Sequence, residues 1–363
     1  MKLTRRDFTG IALAAIPTAR LLSAKPNSFF NGVGIGINAP ISFRGLPGAA
    51  DDIIANMTTV GLSTCELRLQ PIEGFLRGTG ATPLPNQGRR GGGPPDGGRG
   101  DAGAAAADSQ GGPPAGGRGD ADAPGGRGRG GRGGRAPLSA EQEAAQRQAN
   151  EELDIWRLSL SSDKFTGFRK KFEDAGIFIN ILKVDNINNM PDDIVDYAFT
   201  VGKLVGAASL STEIPLDASK RIGQFADKHK MLIGYHGHTN IADPQAFAKP
   251  ESWETAMSWA KYNGVNLDIG HFTAANSTSP VPYLKKWHDR VTHLHLKDRK
   301  YNNGANLPWG QGDTPIVEIL QLIRDQKWPI QGMIEWEYRA PEGSNCMKEL
   351  AVCLEYSRKA LMS

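Results

Sequence analysis

The stretch VTHLHLKDR, residues 291–299, alternates like a β-strand, yet its alternate positions are His293, His295 and Lys297. Side chains two apart on a strand share a face. Two imidazoles and an ammonium therefore line one side while Leu294 and Leu296 take the other. Similar groups recur through the second half of the chain: Glu213 before Pro215, His236 and His238 in GYHGH, Asp268 and His271 in LDIGH, Glu335 and Glu337 in IEWE. All seven histidines lie after residue 228. Five belong to this set, and His229 and His288, in lysine-containing helical patterns, read as surface residues. Carboxylates and imidazoles gathered in one place are costly to desolvate unless a positive charge sits among them. A divalent cation supplies that charge. Chelated by a carbonyl and its neighbouring hydroxyl, it stabilises an enediolate as a Lewis acid. A carboxylate or imidazole on the pocket wall then removes the adjacent proton.

Each residue also has a plainer reading. An aspartate at a strand end caps a helix or forms a turn. Glu335 and Glu337 would suit an exposed edge, Glu213 a loop, and His236 and His238 could satisfy backbone groups beside Gly237. What favours chemistry is their position on successive strands.

Those strands read as 32–38, 63–69, 177–184, 208–214, 231–238, 265–271, 291–297 and 332–338, with amphipathic helical patterns between them. Eight β/α units in series predict an α/β fold, a closed (β/α)8 TIM barrel, in which residues at the C-terminal strand ends converge on one pocket. A doubly wound open sheet is the competing arrangement, but no GxGxxG turn follows the first strand.

Two segments stand apart from the barrel. Residues 1–24 hold Arg5 and Arg6, then a short apolar run ending in Ser23 and Ala24, which resembles a twin-arginine export signal and predicts a periplasmic protein. The barrel is then expected over 25–363, interrupted by residues 78–135. That tract, rich in glycine and arginine, holds almost no large apolar residue and reads as a disordered insert after strand two. With Arg77 it carries nine arginines and five aspartates, so the formal charge of +3 belongs to the insert and not to the barrel body. RGG-like tracts bind RNA when aromatics interleave them, and here none do. No segment approaches the length of a membrane span, and the three cysteines show no metal or disulfide spacing.

LDIGH, HLHLKDR, the GQGD of 310–313 and IEWE together resemble the xylose-isomerase-like sugar isomerase and epimerase superfamily. GYHGH is similar to the GYHNH of many of its members. The resemblance covers about residues 30–360 less the insert. It implies one divalent ion held by Glu, Asp, His and Glu from successive strands. On this chain those are Glu213, Asp268, His295 and Glu335, with Glu337 a rival for the last place. The family's first glutamate stands where this chain has His236, so His236 is the alternative to Glu213 as first ligand. Glu213, Glu335 and His236 are the implied catalytic groups, and His238, His271, Lys297 and Glu337 the substrate-binding ones. Two nitrogen ligands would suit Mn2+, Co2+, Fe2+ or Zn2+ better than Mg2+. The expected reaction is isomerisation or epimerisation of a sugar, with elimination from an oxo-sugar or 3-oxo-glycoside as the alternative. An abasic-site endonuclease fits poorly: no histidine precedes His229, and the barrel body lacks positive excess for nucleic acid. A non-catalytic sugar-binding protein and a homo-oligomer are left open.

Overall fold

A computed structural model describes residues 25–78 and 139–363. The expected export signal and nearly all of the insert lie outside the described residues. Eight parallel strands follow one another: β1 (Val33–Ala39), β2 (Thr64–Arg68), β3 (Phe178–Lys183), β4 (Ser209–Thr212), β5 (Ile233–His236), β6 (Asn263–Asp268), β7 (Val291–Leu296) and β8 (Gly332–Ile334). Each pairs with the next, and β8 pairs with both β7 (Met333 opposite His295) and β1 (Met333 opposite Gly36), so the sheet closes. A two-residue strand, Phe29–Phe30, adds antiparallel to the start of β1. The fold is the expected (β/α)8 TIM barrel.

The helices are α1 (Ala50–Val60), α2 (Leu69–Arg77), α3 (Ala140–Leu158), α4 (Ser162–Asp174), α5 (Asp192–Leu204), α6 (Ser219–His229), α7 (Pro250–Trp259), α8 (Ile269–Asn276), α9 (Val281–Trp287), α10 (Ile316–Gln326) and α11 (Cys346–Met362). The tract 79–138 falls between α2 and α3, after β2 as the sequence reading placed it. The chain resumes at Ser139, whose side chain caps α3 in a reciprocal box with Gln142. Arg157 of α3 is then pinned to Glu73 of α2 through a buried ion pair at 2.7 Å. Among the described residues, no helix is long and apolar enough to cross a membrane.

The strand pattern divides the residues between two environments. Ile37, Leu67, Leu182, Leu210, Tyr235, Leu267, Leu294 and Ile334 are fully buried in the hydrophobic core. The intervening positions carry Asn38, Glu66, Lys183, Ser211, His236, Asn266, Asp268, His293 and His295, also buried. The inner face is thus polar towards its C-terminal end, where barrel sites form. Strands β4, β5 and β8 stop short of the expected bounds, which leaves Glu213, His238, Glu335 and Glu337 on the loops just past the strand ends. Cys65, Cys346 and Cys353 are buried and unlinked.

A candidate metal centre at the barrel mouth

Four side chains from adjacent strand ends converge. His236 ends β5, Asp268 ends β6, His295 is in β7 beside Asp268 in register, and Glu335 follows β8. His236 Nε2 is 3.3 Å from Asp268 Oδ2 and 3.8 Å from Glu335 Oε2. His295 Nδ1 is 3.9 Å from the same Asp268 oxygen and 2.7 Å from Glu335 Oε2. All four residues are buried. Donors bound at about 2.0–2.2 Å around one ion lie roughly 3–3.5 Å apart, which these spacings bracket. Neither His295 Nδ1 nor Glu335 Oε2 makes a hydrogen bond of acceptable geometry. The set of two imidazoles and two carboxylates fits a divalent transition metal.

Local structure explains how these atoms come to face one another. Asp268 is both the cap and the candidate ligand: Oδ1 accepts from the His271 backbone N–H at 2.7 Å, capping α8, and Oδ2 is left for the cluster. The plainer reading of this aspartate and the metal reading therefore hold together, one oxygen each. Gly237 lets the chain turn past Trp253, whose ring would lie 2.4 Å from any Cβ there. Gly270 makes room for Lys297, whose stem would lie 2.3 Å from a Cβ at that position.

Each imidazole has a second nitrogen turned towards a carboxylate. His236 Nδ1 is 3.3 Å from Glu213 Oε1, and His295 Nε2 is 2.6 Å from Glu66 Oε2. Imidazoles that ligate metals commonly donate their other N–H to a carboxylate, as His295 does, whereas His236 Nδ1 makes no hydrogen bond of acceptable geometry. Glu213 thus lies beyond His236, paired with Lys183 and 3.2 Å from His238, and does not join the four-donor group. Of the two first ligands that the sequence left open, His236 falls in the buried group of four, and Glu213 in a second, more exposed group with His236 and His238. Glu337 lies farther out, joined to Lys297 at 2.9 Å, with Arg44 at 4.0 Å from its other oxygen.

Lys297 reaches the same oxygens as the cluster: its Nζ is 2.8 Å from Asp268 Oδ2 and 2.9 Å from Glu335 Oε2. His271 stands beside it, with Nε2 at 3.1 Å. Arg299 Nη1 lies 2.7 Å from His271 Nδ1, so both ring nitrogens of His271 face cationic donors. Burial and Lys297 push His271 far below the usual imidazole range, so the ring is neutral. For Asp268 burial opposes the charge, but the facing cation Lys297 outweighs it and holds the carboxyl below the usual range. His295 is opposite: burial disfavours its charge, yet Glu335 and Glu66 push it up to about 10. Five carboxylates (Glu66, Glu213, Asp268, Glu335, Glu337) thus surround two buried lysines, Lys183 and Lys297. A divalent ion would offset most of that excess.

Two functional side chains escaped the sequence reading. Glu66 and Lys183 sit in STCELRL and IFINILKV among other polar residues, and only closure of the barrel turns them inward. His293 does share a side with His295, as expected, but lies one layer deeper, with Nε2 3.5 Å from Glu66.

An eight-stranded barrel with a buried cluster of histidines and carboxylates at its C-terminal mouth defines a class of α/β protein. Within that class, residues 135–355 match the family described as xylose isomerase-like TIM barrel, and the chain belongs to that family. Among solved structures it is similar to a probable 3-DHS dehydratase, AsbF, from Bacillus anthracis, at 12% identity over 88% of this chain and 97% of that one, with a TM-score of 0.51. It is also similar to an L-ribulose 3-epimerase, at 7% identity over 91% and 95%, with a TM-score of 0.50. At such identities the likeness is one of fold. No curated protein matches the chain.

Proposed function

We propose that the chain is a divalent-metal-dependent sugar isomerase or epimerase that removes a proton next to a carbonyl. The observation that carries this reading is the convergence of His236, Asp268, His295 and Glu335, with donor atoms 2.7–3.9 Å apart. An ion held there would polarise a carbonyl and its neighbouring hydroxyl as a Lewis acid. The chain's own groups supply the rest. Glu213 follows β4 and Glu337 follows β8, strands on opposite sides of an eight-stranded ring. A substrate between them meets one carboxylate on each face, the arrangement that inversion at carbon requires. Glu213 is held charged: burial opposes this, but Lys183 and the two histidines beside it keep the carboxyl well below its usual range. It is therefore present as the carboxylate, the form a base must have. Lys297, beside Glu337, and His271 bind substrate oxygens.

The mouth favours a neutral polyol over a phosphorylated one. Among the described residues, Arg68 is paired with Asp185, Lys183 with Glu213, and Lys297 with three carboxylates, so these three cations are already balanced. Neutral ketoses, aldoses and 3-oxo-glycosides are the substrate class to screen. Elimination is the second reading, because Lys297 places an ammonium where a departing oxygen could be protonated.

The test is solvent exchange. With Mn2+ or Zn2+ and a turned-over sugar in D2O, the carbon beside the carbonyl gains deuterium in product or in recovered substrate. Glu213→Gln loses this label while keeping the metal. Turnover with neither solvent label nor a primary isotope effect on that C–H would sink the proposal.

A further inference from the structure

We infer that Glu66 is the positioning residue that makes His295 a metal donor: it accepts the Nε2 proton, so that the Nδ1 lone pair faces Asp268 and Glu335. The inference rests on the metal reading above. Glu66 lies on β2 and His295 on β7, so the contact crosses the barrel interior between strands that are not neighbours. Both side chains have no exposed surface, and Glu66 Oε2 is 2.6 Å from His295 Nε2.

Both ring nitrogens of His295 face a carboxylate, Nε2 at Glu66 and Nδ1 at Glu335, so the metal-free ring carries both protons and the neighbours of Nε2 decide which one an ion displaces. Asn266 Nδ2 also lies near His295 Nε2, at 3.3 Å, and an amide N–H there would ask Nε2 to accept. That amide has a nearer acceptor in Ser211 Oγ at 3.0 Å. An ionised carboxylate only accepts, and at 2.6 Å its bond is short and charge-assisted. The Nε2 proton is therefore fixed by Glu66. Removing the carboxylate leaves Asn266 as the strongest neighbour of Nε2. With an amide donating to Nε2, the proton the ring keeps is the one on Nδ1, beside Glu335 Oε2 at 2.7 Å, and the metal's place is closed. His293 supports the arrangement from the other side, with Nε2 3.5 Å from Glu66 Oε1 and Nδ1 2.9 Å from Thr292 Oγ1.

The test compares wild-type, Glu66→Gln and Glu66→Leu proteins, each checked for folding by circular dichroism. Zn2+ and Co2+ are titrated by calorimetry, and the His295 ring nitrogens of the metal-free proteins are assigned by NMR after 15N-histidine labelling. Glu66→Leu is expected to lose about 10–100-fold in affinity, as for other partners of ligating histidines, and its metal-free ring to keep the Nδ1 proton and lose the Nε2 proton, where the wild-type ring carries both. Glu66→Gln keeps the shape and an acceptor oxygen, so it loses less; it carries the test if the leucine variant does not fold. Equal affinities with both ring nitrogens still protonated in the leucine variant would overturn the inference. Wild-type protein that takes up no metal would end the metal reading itself, while the ring assignment in metal-free protein would still decide the role of Glu66.

Discussion

The ammonium of Lys297 lies 2.8 Å from Asp268, on the same Oδ2 atom that faces His236 Nε2 at 3.3 Å. Lysine and metal would therefore draw on one oxygen. Lys297 contacts Glu335 Oε2 and Glu337 Oε2 at 2.9 Å as well, so it can retreat to Glu337 when an ion takes the inner two.

The first prediction follows from that competition. Lys297→Met removes a positive charge beside the ion's place, and metal affinity is expected to rise at least about tenfold, roughly 1.4 kcal/mol. The metal-free variant loses the cation that neutralises three carboxylates and is expected to melt lower than wild type, with a larger gain on adding metal. Calorimetric titration and thermal melts check both. Weaker binding by the variant would show that the lysine supports the ion instead of competing with it.

Acidity gives the second. Burial disfavours a charged His295, but Glu335 and Glu66 outweigh it and push the group up to about 10, against about 6.5 in an unfolded chain. Because the folded value is raised, this ion pair stabilises metal-free protein fully below about pH 6.5, and the effect fades as pH climbs through about 10. Metal uptake needs the Nδ1 lone pair and runs the other way. Affinity is expected to rise with pH across that window, by up to about tenfold per unit for one displaced proton. Calorimetry in buffers of different ionisation enthalpy counts that proton, and an affinity flat with pH would contradict the assignment.

A third prediction separates the two residues that the sequence left as rivals. His236→Ala removes a donor whose Nε2 faces Asp268 and Glu335, so metal content is expected to collapse. Glu213→Ala removes only the group behind His236 Nδ1, so binding weakens modestly while turnover is lost. Metal analysis after gel filtration distinguishes them; the reverse ranking would restore Glu213 as a ligand.

The tract between α2 and α3 supplies the fourth. The described residues alone complete all eight strand pairings, and loop closure grows by only about 0.6 kcal/mol per doubling of length. Joining Gly78 to Ser139 through a short linker is expected to leave the melting temperature nearly unchanged. A steep drop would mean that the tract packs on the barrel.

Much of the site was legible because strand periodicity and strand ends are local properties. Asp268, His295 and Lys297 sit where an apolar residue or a plain turn was due, and the eight β/α units place them at one mouth. Which ring nitrogen of His236 faces which carboxylate is not local. It depends on the angle between β4, β5 and β6, so Glu213 and His236 could not be ranked from spacing. Glu66 was hidden for a related reason: TCELR is an ordinary alternating strand until β8 pairs with β1 and turns its polar face inward.

The three thiols gain a use from their burial. Cys65 on β2 lies near the Phe178 carbonyl at 3.9 Å, Cys346 donates to the Ser42 carbonyl at 3.3 Å, and Cys353 lies 3.6 Å from the Tyr338 hydroxyl. Folded protein therefore offers almost nothing to a disulfide reagent, and its covalent structure is the same in reducing and oxidising surroundings. Labelling then waits on opening, and the sites open with different parts of the molecule. Cys346 and Cys353 become reactive when α11 lifts away, whereas Cys65 reacts only when the ring of strands breaks. The order in which the three are labelled would record how the barrel comes apart, with no added probe.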